Sequence, residues 1–133
     1  MKELKECPCR SGKTYKECCE IAHKDIMNVK TAEQLMRSRY TAFTMADGNY
    51  LHKSHYTKTR PSSKAERRDT ERWAKAVQWI KLDILNVIDG KEGDTTGVVE
   101  FKAYFIDKHI PGIIHEKSTF RKENGHWVYD AAI

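Results

Sequence analysis

The sequence predicts an α+β fold in which three helices pack on one face of a curved antiparallel sheet, preceded by a small cysteine-rich module. Three observations carry this expectation. Apolar residues recur at helical spacing as far as residue 76 and alternate with period two from residue 79 onward. Asp-Gly and Asn-Gly turn signals separate the alternating runs. All four cysteines fall at positions 7, 9, 18 and 19.

Thr31-Ala32-Glu33-Gln34 reads as a capping box that opens the first helix, with the Thr31 hydroxyl and the Gln34 amide closing its first turn. Met36, Tyr40 and Phe43 then recur at helical spacing, flanked by Ala32, Leu35 and Ala46, and Asp47-Gly48 is expected to end the helix. Asn49 to Tyr56 forms a second, short helix with Tyr50 and Leu51 as its apolar residues. Arg60-Pro61-Ser62-Ser63 breaks the chain, and Ser62 or Ser63 caps a third helix, Lys64 to Ala76, which carries Trp73. The first strand runs from Trp79 to Ile88, and Asp89-Gly90 through Gly93-Asp94 turns the chain. Val99, Phe101, Ala103 and Phe105 alternate in the second strand, which His109-Ile110-Pro111-Gly112 is expected to end. Ile114, Glu116, Ser118 and Phe120 share one face of a third strand, and Asn124-Gly125 turns tightly into Trp127-Val128-Tyr129. Residues 1–25 thus form one module and residues 26–133 an α+β domain.

A chain of 133 residues is one ordinary domain plus at most one small module. Hydrophobic residues at 39%, with 13 aromatics among them, exclude a disordered chain. No apolar run approaches the ~18 residues of a membrane span, and Met1-Lys2-Glu3-Leu4-Lys5-Glu6 lacks an apolar signal region, so a cytoplasmic protein is expected. The formal charge of +5 raises the question of nucleic acid. From Lys53 to Lys75, eight basic residues (Lys53, Lys58, Arg60, Lys64, Arg67, Arg68, Arg72, Lys75) face only Glu66, Asp69 and Glu71. That segment holds the whole surplus, and it reads first as a solvated face and second as a phosphate-contacting patch.

Cys7-Pro8-Cys9, eight residues, then Cys18-Cys19 places four soft ligands within thirteen positions. Reduced cytosolic thiols favour metal over disulfides, and Zn²⁺ accepts an all-thiolate tetrahedral set. Iron fits the same ligands, and redox use of Cys18-Cys19 is a lesser alternative. Ser11-Gly12 supplies the turn between the halves, and Lys13 and Lys16 offset the site's net negative charge. Gly12-Lys13-Thr14 imitates the end of a phosphate-binding loop, but position 7, where its first glycine belongs, is Cys.

Cys7-Pro8-Cys9-Arg10-Ser11-Gly12-Lys13-Thr14-Tyr15-Lys16-Glu17-Cys18-Cys19 resembles the SEC-C zinc motif, known from the C-terminus of the SecA translocase motor, where it contacts the chaperone SecB and ribosomes. The sequence departs from that motif at Arg10, where the family usually has glycine, and at Cys19, where the translocase has His. Leu35 through Phe43, Val99 through Ala103, His115 through Phe120 and Gly125-His126-Trp127 resemble the YchJ family, which joins a SEC-C motif to a nuclear transport factor 2-like (NTF2-like) domain. The resemblance implies a cone of three helices closed by a bent antiparallel sheet, whose open sheet face commonly makes a homodimer. Some family members carry a second SEC-C motif after the cone, which this chain, ending at Ile133, is expected to lack.

The function expected from these features is that of a zinc-binding accessory or interaction protein. Cys7, Cys9, Cys18 and Cys19 hold structural Zn²⁺, and Lys13, Tyr15 and Lys16 contact a protein or ribosomal partner. In this reading the cone is a scaffold that melts independently of the knuckle. The alternative is a small-molecule binder or acid/base enzyme, isomerase- or dehydratase-like, with its pocket in the cone. Strand alternation turns Glu116 inward and His115 outward. Arg39, about 60° from the Met36/Tyr40/Phe43 stripe, reaches inward as well. An Arg39–Glu116 ion pair beside Tyr40 is expected, first as a lock between helix and sheet and second as a pocket acid or base. Tyr50 and His55 stand as neighbours of such a site. His23, His52, His109 and His126 read as surface or turn residues, with His23 a spare ligand in the minority case. No nucleophile–base constellation is present outside the cysteines.

Overall fold

Hydroxyl and carboxylate caps set the helix starts beyond residue 30 in a computed structural model that describes residues 6–61 and 63–133. Thr31 Oγ1 accepts from the Gln34 amide at 3.1 Å and opens α2 (Ala32–Thr44). The Gln34 side chain bonds back to the amide of Lys30 at 2.7 Å, one residue upstream of the reciprocal bond the capping box predicts. Before it lie a single 3₁₀ turn, Tyr15–Glu17, a short helix α1 (Cys19–Lys24) and a second 3₁₀ turn, Ile26–Asn28. Asp47-Gly48 does not end α2: Met45 and Ala46 do, with Ala46 at φ 52°, and Asp47 instead caps α3 (Gly48–Lys53) by accepting from the Tyr50 amide. Aspartate's carboxylate suits a helix start better than a helix stop. Ser63 caps α4 (Lys64–Ala76) through the Glu66 amide, while Ser62, the other cap considered, lies outside the described residues.

Four antiparallel strands follow as a meander in chain order: β1 (Gln78–Asp89), β2 (Thr96–Asp107), β3 (Ile110–Glu123) and β4 (His126–Ala132). Two register shifts bend β1, between Trp79 and Lys81 and between Ile84 and Asn86, which curves the sheet around α2. The β2–β3 turn is Lys108-His109, both at positive φ, so the strand ends earlier than His109–Gly112 suggested. Pro111 lies inside β3 opposite Ile106, beyond the reach of β4, on an edge where a missing N–H breaks no ladder bond. Asn124-Gly125 is the expected tight turn, with φ of 53° and 84°. Gly90 and Gly97 face each other beneath Ala32: a Cβ on Gly97 lies 2.5 Å from the Gly90 Cα. That close approach lets the Ala32 amide reach the Gly90 carbonyl at 2.9 Å and seats the start of α2 on the sheet.

α2 is buried on nearly all sides, from Ala32, Leu35 and Met36 to Ser38, Arg39, Tyr40, Thr41 and Ala42. The sheet covers one flank and the cysteine module the other. Charged α4 buries only Ala74 and closes the cone with Trp73, which meets Trp79 and Phe105 edge-on. One hydrophobic cluster joins Cys7, Cys9, Cys19, Ala22 and Ile26 to Leu35, Leu82, Phe101, Phe120 and Trp127. Trp127, fully buried, donates its indole N–H to the carbonyl of Lys30 in the connecting segment. The two segments therefore share a continuous core, which a reading of two separate modules does not anticipate. No helix among the described residues is long and apolar enough to cross a membrane.

Candidate functional site

The four cysteines converge because the chain doubles back twice. The Cys7 amide bonds the Lys13 carbonyl at 2.9 Å and the Arg10 amide bonds the Cys7 carbonyl at 3.0 Å, which closes the Cys7–Arg10 turn. Arg10 sits there at φ 64°, the left-handed region that favours glycine. The Tyr15–Glu17 turn, capped by Thr14, then delivers Cys18 and Cys19 at the start of α1. All four sulfurs lie within 4.8 Å of one another, with Cys9–Cys18 at 3.6 Å and Cys18–Cys19 at 4.0 Å. All four are free thiols. A divalent ion with four metal–sulfur bonds of ~2.3 Å sets tetrahedral edges of about 3.8 Å, so the donor set fits a metal.

The surroundings are arranged for thiolates. The Thr41 hydroxyl donates to Cys19 Sγ at 3.3 Å and lies 3.7 Å from Cys7 Sγ. Ser11 Oγ, which accepts from the Lys13 amide, lies 3.2 Å from Cys18 Sγ with its hydrogen free to point there. Hydrogen bonding from Cys19 and then Cys9 holds the Cys7 thiol far below the usual range, while the neighbouring Cys7 and Cys9 and burial hold Cys19 far above it. Four sulfurs this close do not all ionise without a cation among them.

Besides the Thr41 hydroxyl, two contacts bind this centre to α2, and neither was legible in the sequence. Arg37 Nη1 donates to the Cys9 carbonyl at 2.7 Å while its Nε pairs with Glu33 at 2.9 Å. His23 bridges the segments: its Nε2–H donates to the Ser38 carbonyl at 2.8 Å, and its Nδ1 accepts from the Tyr15 hydroxyl at 2.8 Å. Its ring also meets Tyr50 edge-on at 4.6 Å. A lone histidine with no periodic neighbour gives no signal of such a role. Of the three residues expected to face a partner, Lys13 and Lys16 are exposed, whereas Tyr15 is half-buried and engaged with His23.

The cone holds a cavity of about 180 Å³ between α2 and the sheet, lined among others by Arg39, Tyr40, Trp79, Glu116 and Tyr129. The three pocket candidates Arg39, Tyr40 and Glu116 are thus brought together, but the expected Arg39–Glu116 ion pair does not form. Arg39 Nη1 donates instead to the Leu51 carbonyl at 2.9 Å and to Ser54 Oγ at 2.7 Å, and the guanidinium stacks on Tyr129 at 4.8 Å. α3 returns close to α2 and supplies nearer acceptors than the sheet. Burial lowers the Arg39 pKa to about 10, so it stays charged at neutral pH. Burial pushes Tyr40 and Tyr50 up to about 12, and Tyr50 Oη is tied to Ser38 Oγ at 2.6 Å. Glu116 lies opposite Phe101 on the inner face and accepts from Ser118 Oγ at 3.2 Å. His115, opposite Lys102 on the outer face, pairs with Glu100 at 2.8 Å. His55 packs edge-on to Tyr129 at 5.0 Å outside the cavity. The basic residues from Lys53 to Lys75 are spread over α3, the following loop and α4, and Arg72 is paired with Asp69.

The chain matches two family models, "YchJ, middle NTF2-like domain" over residues 31–132 and "SEC-C motif" over residues 5–21. A UPF0225 protein of Corynebacterium glutamicum is 41% identical, over 94% of this chain and 94% of its own length. A UPF0225 protein of Vibrio parahaemolyticus is 41% identical over 92% of this chain and 71% of its own length. The solution structure of a SEC-C motif containing protein from Rhodopseudomonas palustris superposes with a TM-score of 0.80 at 29% identity, covering 96% of both chains. The crystal structure of a sec-c motif containing protein from Psychrobacter arcticus gives 0.71 at 28% identity, over 92% of this chain and 78% of that one.

Proposed function

We propose, for a chain that belongs to the YchJ family of SEC-C and NTF2-like proteins, that it is a zinc-braced interaction protein of the cytoplasm. The convergence of four sulfurs within 4.8 Å carries this reading. Cys7, Cys9, Cys18 and Cys19 would hold the ion, and an all-thiolate tetrahedral set favours Zn²⁺. When bound, the ion supplies neutralising charge and a rigid crosslink in place of an apolar core. The closed ligand set leaves no position for substrate, which supports a structural rather than catalytic metal. Arg37 and His23 fix the knuckle to α2, and Lys13 and Lys16 project from it into solvent as the contact residues for a ribosomal or protein partner. Co-sedimentation of the zinc-loaded protein with purified ribosomes tests this: wild type should pellet and Lys13→Glu/Lys16→Glu should remain in solution with its metal. Equal behaviour of the two proteins removes the knuckle from the contact surface.

A specific observation favours a second reading. The cone is not filled, and its cavity brings a buried cation, a carboxylate and aromatic rings to one place, which supports binding of a small molecule there.

A further inference from the structure

Arg39 is a buried guanidinium with no carboxylate in ion-pair contact among the described residues. Such a charge is costly unless its donors are satisfied. Leu51 O and Ser54 Oγ take both hydrogens of Nη1. Among the described residues, no acceptor bonds Nε or Nη2, and the group lines the cavity. Glu116 lines the sheet side of the same cavity, with Ser118 as its hydroxyl donor. The rest of the wall is mainly apolar and aromatic: Tyr40, Trp73, Trp79 and Tyr129 present rings, and the Trp79 N–H is already given to the Ala74 carbonyl. Trp73 both lines the cavity and is partly exposed to solvent.

These walls discriminate by charge. An organic cation meets Arg39, an organic anion meets Glu116, and a hydrocarbon leaves the free donors of Arg39 without an acceptor. A neutral flat ring with an N–H beside a C=O answers both groups, the carbonyl accepting from Arg39 and the N–H donating to Glu116 while its faces lie on the aromatic rings. A cavity of ~150 Å³ admits benzene, so about 180 Å³ admits one six-membered ring with one or two exocyclic atoms. We propose that the cone cavity is a binding site for a small neutral heterocycle with a lactam or cyclic ureide edge, held between Arg39 and Glu116. This rests on the second reading above, that the cone takes a small molecule.

The test is a titration of the full, zinc-loaded chain with 2-pyridone and uracil, against toluene, benzoate and benzylamine as apolar, anionic and cationic rings of similar size. Binding is read by ¹H–¹⁵N resonances, including the Arg39 Nε–H, and by tryptophan fluorescence. The lactams should bind with a Kd of about 1 mM or tighter, each control at least tenfold more weakly, with Arg39 Nε–H among the shifted resonances. Glu116→Met should reverse the preference between 2-pyridone and toluene, and the wild-type ranking decides if that variant does not fold. Toluene, benzoate or benzylamine binding as tightly as 2-pyridone overturns the ligand class while leaving a small-molecule cavity. Silence with every probe overturns the cavity reading as well.

Discussion

Arg10 occupies a left-handed backbone position, φ 64°, inside the turn that follows Cys9. A side chain there costs on the order of 1 kcal/mol that glycine avoids, partly offset by glycine's greater freedom in the unfolded chain. Arg10→Gly should therefore leave metal stoichiometry unchanged and raise stability by up to about 1 kcal/mol, whereas β-branched Arg10→Val should lower it by about 1–2 kcal/mol. Denaturant unfolding of the two variants checks both signs. His55 makes a different residue-scale case. Burial, followed by Arg39, Arg60 and His52, holds its pKa down to about 4 in the fold. A base with a depressed folded pKa takes up its proton more readily when unfolded, so its stability is present above pH ~6.5 and is lost as pH falls toward 4. With allowance for partial exposure, the loss is about 1–2 kcal/mol. His55→Phe, which keeps a ring against Tyr129, should flatten stability over that window, and an unchanged slope contradicts the assignment. The clustering of the four cysteines was legible because four thiols at tight spacing have few other uses. His23 was not, because its partners Ser38 and Tyr15 are 15 and 8 residues away and meet it only after α1 packs on α2.

At the scale of elements, α2 is a wall with two working faces. Arg37 and Thr41 face the cysteines, and Arg39 and Tyr40 line the cone cavity. Thr41→Val keeps the shape and removes the hydroxyl that donates to Cys19 Sγ. Loss of such an outer hydrogen bond should weaken metal binding by about tenfold or more with little change in fold, measured by competition with a chromophoric chelator. Unchanged affinity means that Thr41 only packs. The Thr31 cap and the period-two strands were readable because local hydrogen bonding and burial set them. Asp47-Gly48 and His109–Gly112 were misplaced because each combines residues that serve both a stop and a start. Tertiary neighbours decided the outcome: α3 needed a cap, and Pro111 had a free sheet edge. The Arg39–Glu116 pair failed for a similar reason, since the return of α3 against α2 cannot be read from either residue's own helix or strand.

The whole molecule packs together the two segments into which the sequence divides. Cys7, Cys9 and Cys19 are 1%, 0% and 3% exposed and belong to the same core as Leu35, Phe120 and Trp127. A module that stood apart would bury its ligands against itself, whereas these are covered by α2 and tied to it by Arg37, His23 and Thr41. A metal held by these cysteines would therefore brace the cone as well as the knuckle, and its loss should be felt across the sheet. Thermal unfolding of the full chain, with metal and after chelation, tests this directly when near-ultraviolet circular dichroism follows the buried aromatics of the cone. The expected result is one cooperative transition whose midpoint falls by about 10 °C or more when the metal is removed, since each kcal/mol moves a domain of this size by several degrees. A cone signal that melts at the same temperature with and without metal, alongside separate early loss of the first 25 residues, would contradict a shared core.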